Sequence, residues 1–102
     1  MEIEKWDNSW GELTESKMRE RLTKEGYTVL RYTYQPGTVF ADHSHPVDKK
    51  DTVLTGTFRM RVFGKEFMLE AGDMLLVRAN TIHSAEVVGD EPVVSLDATR
   101  LV

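Results

Sequence analysis

The chain has 102 residues, a formal net charge of −4 and no cysteine. This length allows one domain with a single hydrophobic core. The acidic balance, without a basic run, argues against a nucleic-acid partner, and the lack of cysteine excludes disulfides and thiolate metal ligands. No stretch approaches the ~18 apolar residues of a membrane span, and the N-terminus has no signal-like apolar segment. We therefore expect no membrane partner and a cytoplasmic location.

An amphipathic helix is predicted near the N-terminus, over residues 13–25. Thr14 or Ser16 is the expected N-cap, because a side-chain oxygen there satisfies a free backbone N–H group. Met18 and Leu22 lie four residues apart and therefore share one face of the helix. The glycine that follows is a typical helix stop.

From residue 27 onward, apolar and polar residues alternate and the composition favours β-strands. We predict eight short strands over residues 27–34, 38–43, 51–55, 57–63, 66–69, 74–77, 83–88 and 93–98. Turn residues separate most of them, at spacings that suit hairpins in a closed or two-sheet barrel. The expected fold is an all-β single domain, with an N-terminal extension and short helix over 1–26 and a barrel over 27–102.

All three histidines fall in two short segments that each begin at a glycine. In a strand, side chains two residues apart point to the same side, so His43 and His45 share one face. A third imidazole, His83, from a neighbouring strand would complete one face of a coordination sphere. This set predicts a divalent transition metal, which we leave open among Fe, Mn, Ni, Cu and Zn. Three structural histidines without metal are the alternative.

The first histidine segment resembles the first motif of the cupin superfamily, G-x5-H-x-H-x3,4-E-x6-G. Gly37, His43, His45 and Gly56 fall at the positions of this motif. Lys49 stands where cupins have a glutamate ligand. The resemblance therefore implies a metal site that has kept its histidines and lost its carboxylate.

The second segment resembles the second cupin motif, G-x5-P-x-G-x2-H-x3-N. Gly72 and His83 match, whereas Arg78, Asn80 and Val87 replace the proline, the turn glycine and the asparagine. Asparagine tolerates the left-handed backbone conformation that the glycine supplies. We therefore expect the turn before His83 to be preserved.

The resemblance covers about residues 35–98 and implies a double-stranded β-helix, a jelly-roll barrel with a metal inside its mouth. It does not imply one reaction, since cupins include dioxygenases, isomerases, decarboxylases, lyases and binding proteins. A small-molecule ligand and a homodimer are the expected partners. Trp6 and Trp10 are expected to cover a barrel edge or a subunit interface.

A lysine at the glutamate position conflicts with a nearby metal ion, because like charges repel. The usual outcome is that Lys49 turns out to solvent. A lysine neutralised by desolvation and a weak or absent metal are the alternatives. Asp48 or Asp51 could supply a carboxylate instead if the loop after Pro46 is arranged differently.

Two functions are compatible with the sequence. The first is a three-histidine metalloenzyme that acts on a small oxygen-donor substrate, similar to the cupin dioxygenases of thiols or β-dicarbonyl compounds. The second is a non-catalytic cupin that binds or senses a small molecule with weak or no metal. No catalytic residue is assigned, and the side chains that we expect to line a pocket are Tyr32, Tyr34, Phe40, Met60 and Arg78.

Overall fold

The alternating strands form two antiparallel sheets that face each other. The computed structural model describes residues 1–101. The strands are β1 (Thr28–Tyr34), β2 (Val39–His43), β3 (Asp48–Thr52), β4 (Thr57–Val62), β5 (Lys65–Leu69), β6 (Met74–Val77), β7 (His83–Val88) and β8 (Val93–Arg100). One sheet has the order β1-β8-β3-β6 and the other β2-β7-β4-β5. The predicted all-β jelly-roll barrel with one N-terminal α-helix is confirmed.

A short 3₁₀ helix (Asn8–Trp10) and helix α1 (Glu15–Lys24) precede the barrel. Thr14, one of the two predicted N-caps, accepts a hydrogen bond from a backbone N–H of the first turn at 3.2 Å. Met18 and Leu22 are fully buried under the helix. Within residues 1–101, no helix is both long enough and apolar enough to cross a membrane.

The two tryptophans pack within the chain. The rings of Trp6 and Trp10 meet edge to face with centroids 5.1 Å apart, and the Arg21 guanidinium lies 3.3 Å from the centre of the Trp10 ring. Both rings are half-buried against the cluster that contains Met18 and Leu22 on the outer side of the first sheet. The homodimer stays a prediction that rests on the family resemblance.

The inward faces of both sheets form the main core. On β4, Met60 and Val62 point inward and are buried, whereas Arg59 and Arg61 lie on the outer face. Arg59 forms an ion pair there with Glu86 of β7. This alternation places the apolar face of β4 inside the barrel and leaves its arginines on a solvated face.

Strand β3 begins three residues earlier than predicted. The prediction of 51–55 treated the preceding residues 46–50 as a turn, but β3 covers Asp48–Thr52 and lies between β8 and β6. Charged residues at its start have partners: Asp48 accepts a hydrogen bond from the Ala79 backbone N–H at 2.9 Å, and Lys50 lies 3.0 and 2.8 Å from two glutamates. Tertiary pairing here overrides the low strand propensity of the sequence.

Gly56, the last glycine of the first motif, occupies a position that requires glycine. Its φ is +84°, and an added Cβ would lie 2.5 Å from the Pro92 carbonyl oxygen. Any other residue would be strained here, because of both the left-handed conformation and the close backbone contact. The loop between β3 and β4 is thereby held against the start of β8.

Candidate metal centre

The three histidine side chains meet at one end of the β2–β7 pair. His43, the last residue of β2, lies directly opposite His83, the first residue of β7. His45 follows two residues beyond β2, and its ring centroid lies 4.9 Å from that of His43 and 5.4 Å from that of His83. One ring nitrogen of each lies within 4.8 Å of the others. A metal at ~2.1 Å from each nitrogen needs them within about 4.2 Å of one another, so the three nitrogens lie near the spacing of a metal site.

Two of the imidazoles are oriented by backbone carbonyls. Nδ1 of His43 lies 2.7 Å from the Ala41 oxygen, and Nδ1 of His83 lies 2.8 Å from the Thr81 oxygen. A carbonyl only accepts, so both Nδ1 atoms carry the proton and both Nε2 atoms keep a free lone pair. Metal-ligating histidines are typically held in this way. The donor set therefore fits a divalent transition metal.

The surroundings keep two imidazoles in the neutral form that binds metal. Burial lowers the pKa of His45, and the nearby Lys49 ammonium lowers it further. Burial also lowers the pKa of His83, against the opposing effect of the hydrogen bond to Thr81. Because a protonated imidazole cannot bind a metal, these shifts favour metal binding at neutral pH.

Asp48 is a structural residue of this region. Its carboxylate accepts a hydrogen bond from the Ala79 N–H at 2.9 Å and lies 3.6 Å from Arg78 and 3.5 Å from Arg100. It is buried and does not belong to the histidine group. Asp48, one of the two alternatives for the missing carboxylate ligand, is therefore not available for that role, because its carboxylate binds the turn before β7.

The turn before β7 also ties the two histidine segments together. Asn80 has a φ of +63°, as expected for the position of the motif glycine. Its backbone N–H donates to the His45 carbonyl at 2.6 Å. The segment that carries His45 is thus bonded to the segment that carries His83, which fixes the third ligand relative to the other two.

Lys49 does not turn out to solvent. Its Nζ lies 3.0 Å from Oδ2 of Asp97 on β8, and only 18% and 17% of the two side chains is exposed. The expected outcome was wrong because Asp97 provides a partner inside the barrel. This pair neutralises the ammonium next to the histidines, so the repulsion that the sequence suggested is largely balanced.

The histidines form part of the wall of a cavity of about 480 Å³ between the two sheets. This is the size of a small-molecule site. Tyr34, Phe40 and Met60 line it as predicted. Tyr32 instead stacks on Tyr34 with ring centroids 5.9 Å apart and is partly exposed, and Arg78 is outside the cavity beside the buried Asp48. The prediction of these two as lining residues was wrong.

Two carboxylates, Asp51 and Asp97, also line the cavity. The β3–β8 pairing runs to Lys50 opposite Ala98, and one further step in this register places Asp51 opposite Asp97. Asp97 was missed in the sequence, although it is the one acidic residue of β8 and was a usable signal.

The cavity changes the proton affinity of its polar groups. Burial raises the pKa of Asp51 to about 7, with a further increase from the Asp97 charge and an opposing effect of Lys49. Burial also raises the pKa of Tyr34, and the two aspartates add to this shift. The region beside the histidines is therefore enclosed enough to hold a proton on a carboxyl group near neutral pH.

The sequence pattern of the cupin domain family matches residues 30–99. The chain belongs to the cupin family. The matched region of this cupin contains all eight strands except the ends of β1 and β8, and it contains all three histidines. No match was found among curated protein sequences.

Solved structures of several other proteins share the barrel fold. A cupin-like protein from Thermotoga maritima has 26% identity and a TM-score of 0.67, over 74% of this chain and 58% of that one. An oxalate decarboxylase has 30% identity and a TM-score of 0.66, over 74% and 22%. A DMSP lyase from Ruegeria pomeroyi has 20% identity and a TM-score of 0.66, over 72% and 38%. The match thus covers 58% or less of the length of each of these three proteins.

Replacing Asp51 should change how stability depends on pH. The pKa of Asp51 is about 7 in the folded protein against an ordinary 3.8. The protonated carboxyl therefore stabilises the folded protein fully below pH 3.8, and this stabilisation is lost as the pH rises through 7. Asparagine does not titrate. We expect the free energy of unfolding of Asp51→Asn, relative to wild type, to rise by about 2 kcal/mol between pH 5 and pH 8, after allowance for partial solvent access.

Urea denaturation with a metal chelator present measures this difference. Asp90→Asn makes the same change at an exposed turn and is the matched control. A difference that does not vary with pH for Asp51→Asn, or one that Asp90→Asn reproduces, would contradict the prediction.

Proposed function

We propose that this cupin holds a divalent transition metal on His43, His45 and His83 and binds a small oxygen-donor molecule at that metal. The orientation of His43 and His83 carries this proposal, since their Nδ1 protons are donated to backbone carbonyls and their Nε2 lone pairs stay free. Iron, manganese, nickel, copper and zinc all accept imidazole ligands. The donor set does not select among them.

The chemistry of three neutral imidazoles favours anionic oxygen ligands. Such a set adds no negative charge, so a bound divalent ion would retain its full charge and would attract and polarise a carboxylate or an enolate. Three protein ligands leave coordination positions open, as in catalytic zinc sites. The similar oxalate decarboxylase is, by its name, an enzyme of a small oxygen-rich acid.

A dioxygenase-like metalloenzyme is the first candidate within this proposal. The ligand set resembles that of the three-histidine cupin dioxygenases of thiols or β-dicarbonyl compounds. The chain's own contribution would be to hold the substrate in the cavity against Tyr34 and Phe40 and to exclude part of the surrounding water. Both rings line the cavity and contact each other edge to face, with centroids 5.0 Å apart.

A non-catalytic cupin that binds or senses a small molecule is the second candidate. Lys49 favours it, because this cation occupies the position of the family's glutamate ligand. Within residues 1–101, no carboxylate joins the three-histidine group. A metal held without an anionic ligand would be bound more weakly, and such a protein would tolerate its loss.

The partner in both candidates is a small molecule bound in the cavity. The homodimer and the cytoplasmic location are kept as proposals from the family resemblance and the composition. Neither of these two proposals changes the composition of the proposed metal site, since all three proposed ligands come from one chain.

Metal content tests the proposed ligands directly. We expect tag-free wild-type protein, after reconstitution, to bind close to one equivalent of a divalent transition metal per chain, and His45→Ala to lose most of it because two imidazoles hold a metal far more weakly than three. Elemental analysis by mass spectrometry gives the stoichiometry. Arg61→Ala, on the outer face of β4, serves as the control. No metal in the wild type would contradict the metalloenzyme.

Restoring a carboxylate at position 49 should strengthen the site. Lys49→Glu removes a cation and returns the anionic ligand of the family motif, so we expect metal affinity to rise by about tenfold or more. Lys49→Gln removes only the charge and separates the two effects. Competition with a chromophoric chelator measures both affinities. Equal values for the two variants would show that this side chain does not reach the metal.

Oxygen uptake distinguishes the two candidates. Ferrous-loaded wild-type protein should consume dioxygen when acetylacetone or cysteine is added, and His45→Ala should not. An oxygen electrode follows the reaction, with zinc-loaded protein as the redox-inactive control. A fully loaded ferrous protein that consumes no dioxygen with either compound would favour the non-catalytic candidate.

A further inference from the structure

Asp51 presents a free carboxyl group to the cavity. It lies in the wall of the same cavity as the three histidines, and within residues 1–101 its side chain forms no hydrogen bond and no ion pair. Among these residues, the side-chain atoms that are both fully enclosed and unpartnered are Nε of Arg21 and Oδ1 of Asp97. The two oxygens of Asp51 are therefore accessible from the cavity, and a bound molecule can contact them.

The cation on the same face of β3 does not neutralise Asp51. Lys49 and Asp51 are two residues apart and point to the same side of the strand, but the Lys49 ammonium is held 3.0 Å from Oδ2 of Asp97. Burial and the Asp97 charge raise the pKa of Asp51 to about 7, and Lys49 opposes this shift only in part. At neutral pH the carboxyl group therefore exists in both forms, so it can accept a proton and return it.

The other titratable groups of the cavity are less suited to proton transfer. Burial and the two aspartates raise the pKa of Tyr34 far above neutrality, so its phenol stays protonated. A proton on Asp97 would break its ion pair with Lys49. The lone pairs of the histidines are assigned to the proposed metal. An unpartnered carboxyl group with a shifted pKa in a cavity is a typical acid–base residue.

The position of Asp51 along β3 suits a molecule that is held at the histidines. The Lys49 ammonium is near enough to His45 to lower the pKa of that imidazole, and Asp51 lies about 7 Å further along the same face of the strand. A molecule of a few carbon atoms spans this distance. A divalent ion at the histidines would withdraw electrons from a carbonyl group and so acidify the hydrogens of the adjacent carbon.

We propose that Asp51 is the acid–base residue of this cupin and moves a proton at the carbon next to a carbonyl group of the bound molecule. This inference rests on the proposed function, which supplies the chelating end. The Asp51 carboxylate takes the proton: the C–H bond breaks, an O–H bond forms on Asp51, and the electron pair moves towards the carbonyl oxygen. Return of the proton reverses the step. The substrate class is a small enolisable carbonyl compound such as a 2-oxo acid.

Hydrogen–deuterium exchange tests this step. 2-Oxobutanoate has a chelating carboxylate and carbonyl group, and its C3 hydrogens lose their proton NMR signal as they exchange in deuterium oxide. After subtraction of the rate with buffer and zinc alone, we expect zinc-loaded wild-type protein to exchange them about 100-fold faster than zinc-loaded Asp51→Asn, the lower end of general acid–base effects. Asp90→Asn, the same change at an exposed turn, should match the wild type.

A second compound separates binding from proton transfer. 3,3-Dimethyl-2-oxobutanoate has the same chelating end and no hydrogen on C3, so calorimetry with it measures affinity alone. We expect zinc-loaded Asp51→Asn to bind it as tightly as the wild type does and to contain as much zinc. Slow exchange with unchanged affinity supports the acid–base role. Equal exchange by the two proteins, or a loss that weaker binding or lower zinc content accounts for, overturns it.

The carboxyl titration gives a readout without metal or substrate. In metal-free wild-type protein labelled with carbon-13, the Asp51 carboxyl signal should titrate with a midpoint at about 7. Asp97→Asn removes the neighbouring charge and frees the Lys49 ammonium, so this midpoint should move to lower pH. A wild-type midpoint near the ordinary 3.8, or one that Asp97→Asn does not lower, also overturns the inference.

The failure of this inference differs from the failure of the proposed function. A wild type that holds no zinc after reconstitution overturns the metal site, and with it the proton transfer that depends on that site. A wild type that holds one equivalent of zinc but exchanges 2-oxobutanoate no faster than Asp51→Asn overturns only the role of Asp51. The zinc content of each sample, measured before the reaction, distinguishes the two results.

Discussion

The direct pairing of His43 with His83 across β2 and β7 is the constraint on which the site depends. Opposite residues in an antiparallel pair bring their side chains close together, so the ladder itself brings two imidazoles together from distant parts of the chain. A register irregularity between Phe40 and His43 separates this last pair from the regular ladder. A shift by one residue would turn His43 to the other face. The hydrogen bond from Asn80 to the His45 carbonyl then fixes the third imidazole.

Much of this arrangement follows from local sequence signals. Met60 was correctly expected to line the cavity, and the cap and the apolar pair of α1 were visible in the sequence. The two histidine segments were found because period-two spacing and the framing glycines are local features. Asn80 was expected to have a left-handed backbone for the same reason, since its side chain tolerates a positive φ.

The errors concern residues whose conformation is decided by distant partners. The start of β3 was misplaced because Asp48 and its neighbours look like a turn until Ala79 and two glutamates are seen to pair with them. Lys49 was expected in solvent because its partner, Asp97, lies 48 residues away in sequence. No local pattern specifies such a contact. Charged residues in a central strand are therefore the places where prediction from one sequence fails, and here they border the cavity.

With lysine at position 49, the cavity still contains negative charge. In the cupin motif the glutamate of this position would lie on the metal, whereas this chain keeps Asp51 and Asp97 on the adjoining wall and uses Lys49 to hold one of them. A metal on three neutral imidazoles would obtain its anionic donors from a bound molecule, whereas the two aspartates disfavour further negative charge beside them. Lysine at this one position bears on both: it leaves the proposed metal without an anionic protein ligand, and it balances part of the charge of the wall.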